Sequence, residues 1–153
     1  MKTLLQEIEN TLEMSRDCWN RLDFAGLRQL WDPEEPEPTY LAEEALTPAF
    51  GWDEIEAYWD AAVTLNSEMQ VEMHKLRVRP LSDDLATAMY ELRWSCRFRN
   101  QPRRIGGDNR VTAIFRRRGG RWLFVQYVEA PLAPISYLRR FYERFGEDLP
   151  ARG

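Results

Sequence analysis

Apolar side chains recur at three- and four-residue spacing through the first part of the chain. The first such stripe consists of Leu5, Ile8, Leu12, Trp19 and Leu22. It predicts an N-terminal amphipathic helix, because these positions fall on one face of a 3.6-residue period. Asp23 is placed to cap a second, short helix, and residues 51–65 carry the pattern of a third. The chain therefore opens with a helical layer.

The segment between the second and third helices has a different character. Residues 32–38 contain three prolines and three glutamates. We expect an extended, solvated connector there, since proline cannot continue a helix. Residues 39–46 then predict a short strand.

The hydrophobic period changes to two at residue 69. Four strands are predicted, at residues 69–79, 85–99, 111–118 and 121–130. A turn at Ser82-Asp83 joins the first pair, and Gly119-Gly120 joins the second with the positive φ angles of a two-residue loop. After the last strand, residues 135–145 are patterned as a closing helix. Helices followed by a meander of strands indicate one α+β domain over residues 1–153.

The two turns also predict which side chains lie opposite each other. Around the glycine turn, one face pairs Ile114 with Val125, Thr112 with Tyr127, and Arg110 with Glu129. The other face pairs Phe115 with Phe124, and Val111 with Val128. Around Ser82-Asp83, the apolar face pairs Met73 with Leu92 and Val71 with Trp94, and the reverse face pairs Glu72 with Arg93 and His74 with Glu91. Matched polarity across both hairpins favours these registers.

Composition and charge narrow the setting. A chain of 153 residues can bury one core, and no stretch approaches the apolar length of a membrane span. Cys18 and Cys96 fall in patterned segments rather than in a disulfide framework, so a reducing cytoplasm is the expected location. Residues 1–60 carry fifteen acidic and four basic residues, whereas the net charge of the chain is −4. Such asymmetry is typical either of an anionic partner or of two complementary layers in one domain.

Several segments, in this order of elements, resemble a known superfamily. The segments are YLAEEA, GWDEIEAYW, IGGDNRVTAIFRR, RRRGGRWLFV and YVEAPLAPISYL. Their layout over nearly the whole chain resembles the nuclear-transport-factor-2-like superfamily, which includes ketosteroid isomerases and SnoaL-like polyketide cyclases. The resemblance implies a cone-shaped, strongly curved antiparallel sheet of the cystatin-like kind, with the N-terminal helices on its concave face. It also implies a pocket inside the cone and a homodimer through the convex face.

The same resemblance implies where a pocket lies but transfers little chemistry. Aligned on the glycine turn, the cavity-facing positions of ketosteroid isomerases fall at Thr112, Val125 and Glu129. Thr112 stands where those enzymes have an acid that binds the steroid oxygen. Their catalytic base would come from the strand before the third helix, where this chain has Glu43 and Glu44. A steroid isomerase is therefore not expected.

The alignment also directs the expected Arg110–Glu129 pair into the cavity. The alternative places this pair on the convex face, with Phe115 and Phe124 facing the helices, and apolar content favours that arrangement. A buried Arg–carboxylate pair is costly to desolvate, so its presence in the cavity would indicate a role in orienting a ligand or a catalytic acid.

Candidate catalytic residues are the two carboxyl groups of Glu44 and Glu129, since a carboxyl beside a phenol or in a cavity can transfer protons. Tyr40 shares a strand face with Glu44. The candidate substrate-binding residues are Tyr40, Trp94, Arg110, Thr112 and Tyr127. His74 is the only histidine, and Cys, Asp and Glu form no cluster at ligand spacing. No metal and no cofactor are therefore expected.

Three classes of function remain open. The first is a cofactor-free acid–base enzyme, of the isomerase, cyclase or hydratase class, on a small apolar molecule that is neutral or weakly polar. The second is a non-catalytic ligand-binding or dimerisation module. The third is polyanion binding through Arg103, Arg104, Arg116, Arg117, Arg118 and Arg121. No aromatic platform lies among these arginines, so nucleic acid is not the expected partner. A membrane is not expected either, because no stretch has the apolar length of a span.

Overall fold

The computed structural model describes residues 2–131. Helix α1 spans Leu4–Arg21 and begins at Thr3, whose hydroxyl accepts a hydrogen bond from the Gln6 N–H. The Gln6 side chain accepts one from the Thr3 N–H in return, so two otherwise unpaired donors are satisfied at the helix start. Ile8 and Leu12 are buried as predicted, whereas Leu5 is exposed.

Two shorter helices complete the helical layer. The carboxylate of Asp23 caps α2 (Phe24–Arg28) by accepting a hydrogen bond from the Gly26 N–H at 2.8 Å. Helix α3 spans Trp52–Leu65 and buries Ile55 and Trp59. The predicted helices are therefore confirmed. Within residues 2–131, no helix combines the length and the apolar character that a membrane span requires.

The sheet has six strands in the order β2-β1-β6-β5-β4-β3 and is curved and open. The strands are β1 (Thr39–Leu41), β2 (Ala49–Phe50), β3 (Asn66–Pro80), β4 (Leu85–Phe98), β5 (Ile105–Arg118) and β6 (Arg121–Pro131). All neighbours are antiparallel except β1, which runs parallel to β6. The predicted α+β fold, with helices packed against a curved sheet, is confirmed. The predicted closing helix at residues 135–145 lies outside the described residues.

The register of the β3–β4 hairpin is confirmed through its central part. Met73 lies opposite Leu92 and Val71 opposite Trp94, as the sequence predicts. Beyond His74 the register shifts by one residue, where Lys75 takes a left-handed φ of 55°. This bulge lies between the cavity end of the hairpin and its turn, so it leaves the predicted apolar face intact.

The register of the β5–β6 hairpin is confirmed only beside its turn. Phe115 lies opposite Phe124, but a bulge then shifts the pairing by one residue and sets Ile114 opposite Gln126. The extra residue is Val125. The predicted pairs Ile114–Val125, Thr112–Tyr127, Val111–Val128 and Arg110–Glu129 are therefore wrong. Arg110 lies opposite Ala130, and Glu129 lies opposite Val111.

The bulge brings Tyr127 and Glu129 to the same face of the sheet as the buried side chains of β5. Those side chains are Val111, Ala113 and Phe115. Phe115 and Phe124 face the helices, with ring centroids 4.5 Å apart, and Phe124 stacks on Trp31. The structure agrees with the alternative that set Phe115 and Phe124 against the helices and Arg110 outside. Glu129 nevertheless lies on the cavity side, because Val125 is accommodated without a partner and reverses the alternation after it.

Asp32 corrects the expectation of a solvated connector at residues 32–38. Its side chain is fully buried and accepts hydrogen bonds from the guanidinium groups of Arg116 (3.3 Å) and Arg118 (2.7 and 3.0 Å). Arg116 also contacts Glu35 at 2.6 Å. The acidic segment is thus bound to the end of β5. Part of the charge asymmetry between the two halves of the chain therefore reflects ion pairs within one domain.

Candidate functional site

A cavity of about 370 Å³ lies between the inner face of the sheet and helices α1 and α3. Most of its wall is apolar, with Met69, Val71, Met73, Leu92 and Cys96 from the β3–β4 hairpin. Five of the seven residues that the sequence analysis proposed for a site lie in this wall: Tyr40, Glu44, Trp94, Tyr127 and Glu129. The parallel pairing of β1 with β6 carries Tyr40 next to Tyr127.

Glu129 is held at the cavity wall by two hydrogen bonds. The Tyr127 hydroxyl donates to its Oε1 at 2.6 Å, and the backbone N–H of Glu43 donates to its Oε2 at 2.9 Å. Both oxygens therefore have a donor, one from β6 itself and one from the loop that follows β1. Such a group keeps its geometry while it gains or loses a proton.

Burial raises the pKa of Glu129 to about 7. The two hydrogen bonds oppose this shift, and the nearby carboxyl groups of Glu44 and Glu43 reinforce it. Burial is also the main cause that raises the pKa of the Tyr127 hydroxyl well above its ordinary range, and the charge of Glu129 adds to it. The protonation of Glu129 therefore changes near neutral pH.

Glu44 is paired with a tyrosine, but a different one from that expected. The hydroxyl group of Tyr58, in α3, donates a hydrogen bond to the Glu44 Oε1 at 2.5 Å. Tyr40 instead lies with its ring between Tyr127, at a centroid distance of 4.9 Å, and Tyr58, at 5.2 Å. Burial is the main cause that raises the pKa of Tyr58, and the hydrogen bond and charge of Glu44 add to it. Tyr58 therefore stays a proton donor at ordinary pH.

Glu43 joins the cavity wall to the loop after β1. Its carboxylate accepts a hydrogen bond from the indole N–H of Trp94, while its backbone N–H binds Glu129. Burial raises the pKa of the Glu43 carboxyl, although the Trp94 bond acts against that shift. Trp94 thus packs in the wall and also orders the donor that holds Glu129.

Arg110 and Thr112 are not part of this site. Both lie on the outer face of β5, opposite the buried face of Val111 and Ala113, and neither lines the cavity. The Arg110 guanidinium is exposed and reaches the carbonyl of Pro131 at 3.4 Å. Ile114 and Val125, expected to extend the apolar wall, are likewise absent from it. The one-residue shift of register at Val125 moves the three β5 residues to the outside.

Tyr58 and Trp19 also line the cavity. Tyr58 was not predicted as a site residue, and Trp19 was predicted only as part of the apolar stripe of α1. Tyr58 lies three residues after Ile55 and four before Ala62, so it borders the predicted buried face of α3. That spacing was the available signal for Tyr58. His74 is half exposed, lies 3.4 Å from Glu72 and does not line the cavity. Across residues 2–131, no three Cys, His, Asp or Glu side chains are grouped as a metal site.

The family model of the SnoaL-like domain matches residues 8–134 of the chain. No curated protein matches the sequence significantly. Among solved structures, the fold is similar to a nuclear transport factor 2 (NTF2-like) superfamily protein from Salmonella enterica serovar Typhimurium, with a TM-score of 0.73, 15% identity, and coverage of 82% of this chain and 89% of that one.

Two further solved structures share the fold. One is a proposed scytalone dehydratase from Novosphingobium aromaticivorans, with a TM-score of 0.74, 12% identity, and 82% of each chain covered. The other is a hexachlorocyclohexane dehydrochlorinase, with a TM-score of 0.70, 13% identity, and coverage of 83% of this chain and 84% of that one. The match to the family model covers most of the sequence, so the chain belongs to the SnoaL-like domain family of the nuclear-transport-factor-2-like superfamily.

Proposed function

We propose that this protein is a cofactor-free acid–base enzyme that acts on a small, largely apolar organic molecule. The observation that carries the proposal is Glu129, a carboxyl group with a pKa near 7 that is held by Tyr127 and the Glu43 N–H in the wall of an apolar cavity. A general base is most effective when its pKa lies near the working pH. Glu129 is the proposed base.

The proposed reaction begins with proton removal from a carbon of the substrate. Ionised Glu129 takes the proton, and the electron pair left on carbon forms a new double bond as a hydroxyl or halide group departs, or shifts to a neighbouring carbonyl. The Tyr58–Glu44 pair is the second acid–base group in the wall and is proposed to protonate the leaving group or the oxygen. Elimination of a hydroxyl group is the reverse of hydratase chemistry. Return of the proton from Glu129 to a different carbon of the enolate completes an isomerisation, and attack of the enolate carbon on a second carbonyl carbon, whose oxygen is then protonated, completes a cyclisation.

Elimination is the reaction for which two proteins of the same fold are named. A dehydratase and a dehydrochlorinase both remove a proton and a neighbouring leaving group, and both names occur among proteins with this fold. Identity below 25% carries the fold alone, so the support for this chain comes from its own carboxyl groups.

The test is proton exchange at carbon, which needs no knowledge of the natural substrate. Small cyclic ketones and β-hydroxy ketones are incubated with the protein in D₂O, and deuterium incorporation is followed by NMR. We expect exchange above the buffer rate that rises through about pH 7 and falls at least about 100-fold in Glu129→Gln. Glu91→Gln on the outer face of β4 is the matched control and should retain the wild-type rate. Equal rates in Glu129→Gln and wild type would remove Glu129 as the base.

The second candidate is a binding module without catalysis. The mostly apolar cavity of about 370 Å³ favours it independently of Glu129, because such a volume lies within the range of small-molecule sites. Thermal stabilisation by members of the same panel without any deuterium exchange would support this alternative over the enzyme.

We also infer a homodimer through the outer face of the sheet, although its composition differs from the one expected. The strands place Met89, Thr112 and Val128 side by side there, and Met89 is 58% exposed.

Four of the arginines considered for polyanion binding pair with acids instead: Arg104 with Glu68, Arg116 and Arg118 with Asp32, and Arg117 with Glu7. These ion pairs reduce the positive charge that a nucleic acid could use.

A further inference from the structure

The acids of the cavity have only uncharged partners. Glu129 receives its two hydrogen bonds from the Tyr127 hydroxyl and a backbone N–H, Glu44 receives one from the Tyr58 hydroxyl, and Glu43 receives one from an indole N–H. Among residues 2–131, the cavity wall contains no Lys, Arg or His. Glu129 and Glu43 are partly buried, whereas Glu44 lies at the exposed rim of the cavity. A partly buried carboxylate is ordinarily balanced by a cation, since an isolated negative charge is costly to desolvate.

Aromatic rings form much of the remaining wall. They belong to Trp19, Tyr40, Tyr58, Trp94 and Tyr127. Tyr40 is the centre of this group, with Tyr127 stacked at 4.9 Å and Tyr58 tilted at 5.2 Å. The faces of such rings carry partial negative charge and attract ammonium groups within about 6 Å. Carboxylates and ring faces therefore act in the same direction on a charged ligand.

The titration of the cavity groups is consistent with unbalanced negative charge. The charge of Glu129 contributes to the raised pKa of Tyr40, Tyr58 and Tyr127, after burial as the main cause. The acids Glu44 and Glu43 contribute in the same sense to Glu129. One positive charge placed among these groups would offset the negative charge that raises their pKa values.

We propose that the natural ligand of this cavity carries a protonated or quaternary amine on an apolar body, with the nitrogen between Glu44, Glu129 and the tyrosine rings. This inference rests on the proposed function, because it names the substrate class of the same site. It departs from the neutral or weakly polar ligand expected from the sequence. The apolar body contacts the β3–β4 wall, whereas an anionic ligand would meet only carboxylates.

The test uses three molecules of nearly the same shape that differ in charge. These are 2-phenylethylamine, 2-phenylethanol and phenylacetate, titrated into the full-length protein by isothermal calorimetry at pH 8, where Glu129 is ionised. We expect the amine to bind at least about tenfold more tightly than the alcohol, and the acetate not to bind. Benzyltrimethylammonium should bind as well, because a quaternary nitrogen keeps the attraction to ring faces.

Two further measurements place the nitrogen. At pH 7, amine binding should release up to about half a proton, since a nearby cation lowers the pKa of Glu129 from about 7. Glu44→Gln should weaken binding of the amine about fivefold relative to binding of the alcohol. Glu91→Gln, the same change on the outer face, should alter neither.

The outcomes separate this inference from the proposed function. If the alcohol binds as tightly as the amine, the cavity accepts small molecules and only the amine inference is overturned. If none of the molecules binds and none of the ketone panel exchanges deuterium, the proposed function is overturned together with it. Amine binding without proton release at pH 7 would also overturn the placement of the nitrogen beside Glu129.

Discussion

At the scale of single residues, Glu129 is the group in which position and chemistry are most closely linked. Its carboxyl is drawn out of bulk water by the packing of β1 against β6, and it lies near two other acids. Two hydrogen bonds hold it in place but offset only part of the cost of ionising it there. The folded protein therefore holds a proton on Glu129 that the unfolded chain would release.

This retained proton makes stability depend on pH in a defined direction. With a pKa raised from 4.5 to about 7, the folded state binds more protons than the unfolded state between those values, so stability falls as the pH rises through this window. The full loss above pH 7 is about 3 kcal/mol. Glu129→Gln cannot ionise, and we expect it to lack this loss. Urea unfolding at pH 5 and pH 8 measures the difference.

Glu91→Gln is the control, because Glu91 lies on the outer face and pairs with Lys75 in solvent. Its stability should follow the wild-type dependence on pH. Parallel curves for wild type and Glu129→Gln between pH 5 and pH 8 would show that Glu129 titrates at an ordinary pKa, and the argument for a poised base would fail.

Residue identities in the site were largely within reach of the sequence. Tyr40 and Glu44 were selected because they share a predicted strand face, and Trp94 because it lies on the apolar face of its hairpin. The resemblance directed Tyr127 and Glu129 into the cavity, and all five residues line it. The partner of Glu44 was not predictable in the same way. Tyr58 reaches it from α3, and the approach of a helix to a strand depends on packing that no spacing rule specifies.

At the scale of elements, one bulge decides which face of β5 meets the cavity. A two-residue glycine turn fixes the register only up to the first irregularity, and Val125 is such an irregularity within a few residues of the turn. Val is a common strand residue with no conformational signature of a bulge. The face of β6 beyond Val125 was therefore predicted correctly for Tyr127 and Glu129 but combined with the wrong side of β5.

The Asp32 segment is the second element-scale feature, and it predicts a measurable cost. Burial acts to raise the pKa of Asp32. Hydrogen bonds from Arg118, the Glu34 N–H and Arg116, together with the charge of Arg118, outweigh burial and hold the pKa below its ordinary value. Asp32→Asn removes the carboxylate charge that balances the two guanidinium groups of Arg116 and Arg118. We expect a loss of about 2–3 kcal/mol in urea unfolding at pH 7, less than for fully buried pairs because both arginines are partly exposed.

The control for this loss is Glu37→Gln, an exposed acid in the same segment, which should change stability by less than about 0.5 kcal/mol. The destabilisation by Asp32→Asn should also shrink below about pH 4, because the stabilising charge of Asp32 is lost as the pH falls through its lowered pKa. Equal stability of Asp32→Asn and wild type at pH 7 would show that the cluster is dispensable.

At the scale of the whole molecule, the fold was predictable because many weak signals agree. Periods of 3.6 and then 2, an Asp23 cap, and the positive φ angles at Gly119 and Gly120 all indicate the same order of layers. The site and the outer face follow from finer details, since each depends on the register to within one residue. Reversing β5 exchanges a face of Val111 and Phe115 for one of Thr112 and Ile114.

That exchange changes which side chains of the outer face a second copy of the chain could contact. Phe115 and Phe124 are buried within one chain, so their rings are not available to an interface between two chains. The outer face offers Met89, Thr112, Ile114 and Val128 on three neighbouring strands. Exposed apolar side chains flanked by charged residues such as Arg110 and Glu91 are typical of interfaces with an apolar centre and a polar rim.

We therefore expect a homodimer that Met89→Glu disrupts. Two copies of the substituted side chain would bring like charges into the centre of a two-fold interface, and this should raise the dissociation constant at least about 100-fold. Sedimentation equilibrium of wild type and variant at micromolar concentration measures it. Leu81→Glu, an exposed apolar residue near the β3–β4 turn, is the control and should remain dimeric. A wild-type protein that sediments as a monomer would refute the interface, and a dimer unaffected by Met89→Glu would place it on another surface.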